Sequence, residues 1–351
     1  MDVERKTKAL LLNALSYTAS DVHFIPMKKN GLVRYRIDGK LVDMETLPLN
    51  LLQRIISYLK FISGMDIGEK RRPQTSSLEI PLLNKLYAMR LSTFPSTSYE
   101  TLVIRLFPLK DHQTLHQLSL FPGQAKKILN LIQAPSGLII ICGPTGSGKT
   151  TTLYSLLHTC SFNLKRNIIT LEDPIEQKHD HFLQMEINER AGVTYSVGLR
   201  SLLRHDPDVI MLGEIRDSET AQMAIRASLT GHLVFSTLHS KCTKTALNRL
   251  LELGVRQVDL QETVTAIIAQ RLVDVVCPYC GMSCHSHCKK RRLRRRAAIY
   301  EILEGEIVQY MHELPGAKKI KTLNELISKS IALGFVHEYE YFRFGKGGIG
   351  D

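Results

Sequence analysis

Residues 143–150 read Gly-Pro-Thr-Gly-Ser-Gly-Lys-Thr and follow the spacing G-x-x-x-x-G-K-[ST]. Glycines at this spacing let backbone N–H groups turn inward around an anion, a lysine reaches the β- and γ-phosphates, and a threonine ligates Mg²⁺. The apolar run before the motif predicts a strand and the segment after it predicts a helix, which is the context in which such loops bind phosphate. We therefore predict that ATP and Mg²⁺ bind here, with Thr150 on the metal, through Gly143, Pro144, Thr145, Gly146, Ser147, Gly148, Lys149, Thr150 and Thr151.

Acidic residues follow two other apolar runs of the same region. Glu172 and Asp173 end the run "NIITLED", and Glu214 follows "VIML". In a parallel sheet the ligand sits at the carboxyl ends of the strands, so these acids are expected to converge on the phosphates. One can orient or deprotonate the attacking water and another can hold the shell of the Mg²⁺ ion.

Two histidines, His232 and His239, stand on either side of the apolar run "LVFST". A single histidine in such a place is typically a structural residue. A pair that brackets a strand beside the phosphate site suggests groups that sense the state of the nucleotide.

Four cysteines fall within residues 277–288 and a basic run occupies residues 289–296. A cysteine cluster in a reducing compartment indicates metal binding or free thiols rather than disulfides. Two interpretations stay open, a structural zinc ion and a metal-free insertion with reduced thiols. The zinc ligands would be Cys277, Cys280, Cys284 and Cys288, with His285 or His287 as substitutes.

The pattern of apolar residues divides the chain into two domains joined by a linker. Short alternating runs with glycine turns over residues 21–41 and a helical period over 51–63 predict a small α+β domain at 1–108. A linker with a helical turn is expected at 109–123. Buried-strand runs at 138–142, 167–170, 209–212 and 233–237, separated by helical segments, predict a mostly parallel sheet in an α/β domain at 124–345. That second domain would include the cysteine-rich insertion, 277–296.

Composition narrows the class of protein. The 351 residues are 44% hydrophobic and 23% charged, as in soluble globular proteins. The net charge is +12, of which the basic run supplies +7, so the rest of the chain carries only +5. A chain-wide nucleic-acid-binding field is thereby excluded. No apolar run is long enough to cross a bilayer and the N-terminus has no export signal, so we expect a cytoplasmic protein.

The motifs "GPTGSGKTTTLY", "ITLEDPIE", "LRHDPDVIMLGEIRD", "TGHLVFSTLHS" and "AQRLVD", with "ASDVHFIP", "VRYRIDGKL" and "MRLSTFP" upstream, occur in this order. Together they resemble the secretion or traffic ATPases that power type II secretion, type IV pili and DNA-uptake pseudopili. The resemblance extends from about Ser20 to Leu333. Two departures are visible: "RRPQTSS" replaces the family's "RPQDGR", and the two cysteine pairs lie unusually close together.

The resemblance implies a homo-hexameric ring whose subunits pair a PAS-like N-terminal domain with a RecA-like ATPase domain. It assigns Glu172 as the catalytic base, Glu214 as the Walker B acid, and His232 and His239 as the histidine box. Guanidinium groups suit the charge that develops in phosphoryl transfer. By motif, the arginines that close the site are Arg90, Arg105, Arg200 and Arg204.

The short form of the chain is most similar to the competence ATPases of transformable Gram-positive bacteria. This implies a motor for a competence pseudopilus, a polytopic inner-membrane protein as partner, and a peripheral position at the inner face of the membrane. Assembly ATPases of type II secretion or type IV pili, a DNA-binding P-loop ATPase, and a nucleotide-gated scaffold are the alternatives. Direct nucleic-acid binding is not expected, because no aromatic residues interleave the basic run, which we expect to face solvent or anionic lipid.

Overall fold

The computed structural model of the protein describes residues 3–82, 85–96, 99–107, 113–281, 284, 286–291, 295–305 and 320–345. Contacts divide the chain into two compact units. The first contains Met1–Asp111 and Cys277–Arg295, and the second contains His112–Val276 and Arg296–Asp351. Among the described residues, every helix is too short or too polar to span a lipid bilayer.

The first unit is a six-stranded antiparallel sheet, and two of its helices pack against one face. Its elements are α1 (Val3–Ser16), β1 (Asp21–Pro26), β2 (Asn30–Ile37), β3 (Lys40–Pro48), α2 (Leu49–Ile62), β4 (Thr75–Leu82), β5 (Lys85–Pro95), β6 (Glu100–Phe107) and, from the insertion, α10 (Ser286–Arg291). The strand order is β3-β2-β1-β6-β5-β4. Asp38 and Gly39, with φ of 53° and 83°, make the tight turn between β2 and β3 that the sequence predicts.

Alternation along the strands gives this sheet one apolar and one polar face. Val22 and Phe24 of β1 are fully buried and pack with Leu52 and Ile55 of α2. Residues at the intervening positions, such as Asp21 of β1, point to the opposite face. The predicted α+β domain is confirmed, and α2 begins and ends within two residues of the predicted helix.

The second unit has a seven-stranded sheet in the order β13-β12-β7-β11-β10-β8-β9, parallel except for β13. Its strands are β7 (Gly137–Cys142), β8 (Ile168–Glu172), β9 (Leu183–Glu186), β10 (Val209–Leu212), β11 (Leu233–Leu238), β12 (Val264–Asp274) and β13 (Arg296–Glu304). Its helices are α3 (Leu115–Leu118), α4 (Pro122–Leu131), α5 (Lys149–Phe162), α6 (Tyr195–Leu202), α7 (Ser218–Leu229), α8 (Thr243–Glu252), α9 (Gln257–Thr263), α11 (Leu323–Ala332) and α12 (Tyr339–Gly345). A 3₁₀ turn covers Glu189–Ala191.

Helices cover both faces of this sheet. Along β7, Leu138 and Ile140 belong to one hydrophobic cluster, whereas Ile139 and Ile141 belong to another. A central strand that is buried on both faces must be apolar at every position, which is why it appears in the sequence as a continuous run. The predicted α/β class with a mostly parallel sheet is therefore confirmed. The long β12–β13 pair was not predicted, and the proposed end of the first domain at Pro108 lies outside the described residues.

The cysteine-rich insertion belongs with the first unit, which corrects its predicted place in the second domain. Arg295 is 7% exposed and its guanidinium lies 2.6 Å from the carboxylate of Asp38 and 2.8 Å from the carbonyl of Tyr17. Lys290 lies 4.7 Å from the ring centre of Tyr17. These contacts join residues more than 250 positions apart, so local pattern gave no sign of them. Arg292 and Arg294 of the basic run lie outside the described residues.

Glu301 on β13 accepts hydrogen bonds from the N-termini of two helices of the second unit. It is 4% exposed and accepts hydrogen bonds from the backbone N–H of Thr243 at 2.8 Å and of Leu323 at 2.9 Å. It also accepts one from the Thr243 hydroxyl at 2.7 Å. One carboxylate thus accepts hydrogen bonds from backbone N–H groups in the first turns of both α8 and α11, which have no partner within their own helices.

We predict that Glu301→Ala lowers the free energy of unfolding by about 3–5 kcal/mol, because three buried donors lose their acceptor. Chemical denaturation measures the change. The control is Glu304→Ala on the same strand, which removes a half-exposed ion pair with Lys127 and should cost less than about 1 kcal/mol. Equal losses in the two variants would contradict this role of Glu301.

Candidate nucleotide-binding and hydrolysis site

The loop between β7 and α5 has a backbone that requires its glycines. Gly146 and Gly148 have φ of 77° and 86°, in the left-handed region that favours glycine. A Cβ atom on Gly143 would lie 2.5 Å from Ser147 Oγ and 2.8 Å from the carbonyl of Gln270, which is closer than atoms can approach. The loop therefore curls tightly, as a phosphate cradle must.

Lys149 lies inside this curl. It is 9% exposed, and its Nζ donates to the carbonyls of Gly143 at 2.8 Å and Pro144 at 3.2 Å. Burial lowers the pKa of Lys149, and the negative charge of Glu214 opposes that effect. The N-cap residue of α5, Gly148, has no side chain, so the N–H groups of the first turn are left for another acceptor. The curl, the buried ammonium and these N–H groups fit a bound phosphate.

Gln270, which the sequence analysis did not select, supports the loop from β12. It is 1% exposed, and its Nε2 donates to the carbonyl of Ser147 at 2.8 Å. The only sign of it in the sequence was its place in the motif "AQRLVD". That motif carried the resemblance to a family without indicating a contact 123 residues away.

Glu172 is the last residue of β8 and is 3% exposed. Its carboxylate accepts hydrogen bonds from Tyr154 at 2.5 Å, Thr170 at 2.6 Å and Gln184 at 3.0 Å. Burial, together with the Glu172 charge, raises the pKa of Tyr154, so this hydroxyl stays protonated and donates. The three donors fix the orientation of the carboxylate.

Glu214 lies two residues beyond β10, at the same edge of the sheet. Its two oxygens lie 3.2 Å from His239 Nε2 and 3.2 Å from the guanidinium of Arg216. Arg216 also lies 3.7 Å from Asp173, and its hydrogen bond to Glu214 raises the pKa of Arg216. The structure thus brings the loop, Glu172, Glu214 and His239 to the carboxyl ends of neighbouring strands.

His232 lies apart from this group, at the other end of β11. It precedes β11, whereas His239 follows it. A strand of six residues is about 20 Å long, so the two histidines lie at opposite edges of the sheet. His232 Nδ1 lies 3.0 Å from Thr230 Oγ1 and 3.1 Å from the carbonyl of Ala227, at the end of α7.

The four selected arginines are divided between the units. Arg200, on α6, lies 3.1 Å from Ser196 Oγ, and Arg204 follows that helix; both are exposed in the second unit. Arg90 and Arg105 face each other on β5 and β6 of the first unit. Arg105 lies 3.0 Å from the carboxylate of Asp21, which is buried.

The cysteine cluster has the geometry of a metal site. The sulfur atoms of the four cysteines lie within 4.8 Å of one another, with Cys288 at 3.6 Å from both Cys277 and Cys284. Tetrahedral zinc with bonds of about 2.3 Å separates its sulfur ligands by about 3.8 Å. A hydrogen bond from the backbone of Tyr279 lowers the pKa of Cys277 to about 6, which favours the thiolate at that residue. Hydrogen bonds with Cys277 and Cys284 raise the pKa of Cys288 to about 12. His285 and the side chain of His287 lie outside the described residues.

Comparison with known proteins shows which family the chain resembles. The family model for the type II/IV secretion system protein matches residues 1–334. The competence protein ComGA of Bacillus subtilis (strain 168) is 44% identical over 347 residues, which are 97% of this chain and 98% of the relative. The type II secretion system protein HxcR of Pseudomonas aeruginosa is 38% identical and covers 89% and 68% of the two chains.

Solved structures have the same fold. The pilus retraction motor PilT with bound ADP is 26% identical, with a TM-score of 0.68 over 96% of each chain. The ATPase DotB of Legionella pneumophila is 22% identical, with a TM-score of 0.75 over 96% of this chain and 94% of that one, and supports the fold alone. Given the phosphate loop, the acids beside it and these matches, the chain belongs to the type II/IV secretion system protein family and is a P-loop ATPase.

Proposed function

We propose that this ATPase is the motor that powers assembly of a competence pseudopilus for DNA uptake. The observation that carries the proposal is the 44% identity to a competence protein along nearly the whole of both chains. The complete phosphate loop supplies the chemistry that a motor needs. Assembly of a type II secretion system or a type IV pilus is the alternative, favoured by the 38% identity to HxcR.

In this proposal the loop residues Gly143–Thr151 bind the phosphates of ATP. The Lys149 ammonium exchanges the carbonyls of Gly143 and Pro144 for phosphate oxygens, and Thr150 provides a hydroxyl ligand for Mg²⁺. When bound, Mg²⁺ neutralises charge that develops on the β- and γ-phosphate oxygens. Glu214, whose negative charge opposes the lowering of the Lys149 pKa, would hold the hydration shell of the metal.

Glu172 is assigned as the base that orients and deprotonates the attacking water. A carboxylate offers about four lone-pair positions, of which Tyr154, Thr170 and Gln184 use three. The remaining position is available to a water molecule, and the fixed orientation supports general-base catalysis. His239, bonded to Glu214, is the histidine placed to respond to the nucleotide.

The ATPase is proposed to act as a homo-hexamer. Arg90, Arg105, Arg200 and Arg204 would complete the phosphate sites of the ring, because guanidinium groups stabilise the charge of phosphoryl transfer. The proposed partner is a polytopic inner-membrane protein of the pilus machinery, with the ring at the inner face of the cell membrane. This arrangement couples hydrolysis to movement of pilin-like subunits.

Two side chains of the basic run, Arg295 and Lys290, make contacts within the first unit, and this disfavours a DNA-binding ATPase. Arg295 is buried against Asp38, and Lys290 packs on Tyr17 and lies 3.3 Å from Asn13 Oδ1. Side chains that hold the insertion to its own unit cannot grip phosphates at the same time. The insertion is proposed to bind one structural zinc ion through its four cysteines.

We predict that Lys149→Ala abolishes Mg²⁺-dependent phosphate release from ATP, because the buried ammonium that meets the phosphates is lost.

Glu214→Gln should lower kcat by about 10²-fold or more while ADP still binds, because the carboxylate proposed to hold the hydration shell of the metal is lost. Lys126→Ala, on the exposed side of α4, is the control and should leave both phosphate release and ADP binding unchanged. Full activity in Lys149→Ala would refute the site, and strong stimulation by DNA would favour the DNA-binding alternative.

Deletion of the gene is expected to abolish DNA uptake while general secretion continues. Transformation frequency and the amount of secreted protein measure the two outcomes. Complementation with the wild-type gene should restore uptake, and complementation with Lys149→Ala should not. Normal transformation in the deletion strain would overturn the competence assignment and leave the ATPase assignment intact.

Purified protein is expected to contain about one zinc ion per chain, set by the tetrahedral four-cysteine site. Cys284→Ser should remove most of the metal, as measured by elemental analysis. Cys160→Ser changes a buried cysteine outside the cluster and should retain the zinc. Wild-type protein with no zinc would establish the metal-free interpretation instead.

A further inference from the structure

Gln270 makes a contact with the phosphate loop that no assigned role explains. Its side chain reaches from β12 to the carbonyl of Ser147, and a Cβ on Gly148 would lie 2.9 Å from its Nε2. Among the described residues, Gln270 Oε1 and Ser147 Oγ are buried polar atoms without a hydrogen-bond partner. The single hydrogen bond to Ser147 therefore fixes the amide, and the glycine at 148 lets the amide approach so closely.

The direction of this hydrogen bond determines the orientation of one peptide unit. In a planar trans peptide the C=O of one residue and the N–H of the next point in opposite directions. Because the Ser147 carbonyl points at Gln270, the Gly148 N–H points away from β12. The φ of 86° at Gly148 then continues the chain into α5.

The strand that carries Gln270 is a rigid support. Gln270 pairs with Tyr300 across the β12–β13 ladder, and its own carbonyl accepts a hydrogen bond from Arg271 at 2.9 Å. The Tyr300 hydroxyl lies 3.2 Å from Thr152 Oγ1 on α5. The β12–β13 strand pair thus contacts both the phosphate loop and α5, the helix that follows the loop.

We propose that Gln270 is a positioning residue that turns the Ser147–Gly148 peptide so that the Gly148 N–H faces the β-phosphate of the bound nucleotide. Such an N–H stabilises the anion without reorganising when the nucleotide arrives. The inference rests on the phosphate-binding role proposed for the loop. It predicts that Gln270 increases the affinity for nucleoside diphosphates and triphosphates alike and has little effect on kcat.

The test compares Gln270→Met, which keeps the length of the side chain without the donor, and Gln270→Glu, which sets an acceptor against the Ser147 carbonyl. Calorimetry on the full chain measures the Kd for ADP, and steady-state kinetics separates KM from kcat. Gln270→Met should weaken ADP binding and raise KM about tenfold, with kcat changing much less. Gln270→Glu should weaken binding further and is isosteric, so it serves as the test if Gln270→Met does not fold.

The matched control is Gln124→Met, which removes hydrogen bonds between α4 and the backbone of Tyr300 on the neighbouring strand. It should lower the melting temperature as Gln270→Met does while leaving ADP affinity unchanged. Unchanged ADP affinity in both Gln270 variants, or an equal loss in Gln124→Met, would overturn the inference. Failure of the wild-type chain to bind ADP would instead contradict the proposed role of the loop.

Discussion

The common direction of β7, β8, β10 and β11 is the constraint on which the site depends. Because these strands run parallel, their carboxyl ends meet at one edge, where they deliver the phosphate loop, Glu172, Glu214 and His239. Parallel neighbours need crossover helices on both faces, so the strands become fully buried and apolar. The same arrangement therefore explains the core of the second unit and the chemistry at its edge.

The buried charged groups Lys149, Glu172 and Glu301 at this edge all have hydrogen-bond partners within the protein. Lys149 has two loop carbonyls, Glu172 has three donors, and Glu301 bonds the N-termini of two helices. Desolvated charge is tolerated only with such partners, and the partners hold the groups in fixed orientations. The first unit uses the same device when Asp21 is placed between Arg36 and Arg105. Stability and preorganisation thus come from the same hydrogen bonds.

Features encoded within one short segment were predictable from the sequence. The phosphate loop is contiguous, and the central strands are visible because burial on both faces leaves only apolar residues. Features that depend on distant partners were not. His232 brackets a strand as His239 does, but it precedes the strand and therefore lies at the opposite edge of the sheet. Gln270 acts on a loop 123 residues earlier, and Arg295 bonds Asp38 257 positions away, so neither contact leaves a local pattern.

The cysteine-rich insertion leaves and re-enters the sheet at one pair of facing residues, since Asp274 on β12 is the register partner of Arg296 on β13. Facing residues of an antiparallel pair are about 5 Å apart, a gap that a two-residue turn can close. The length of the inserted segment is therefore independent of the strand register. Evolution can exchange, shorten or delete such an inserted segment while the sheet of the second unit is inherited unchanged.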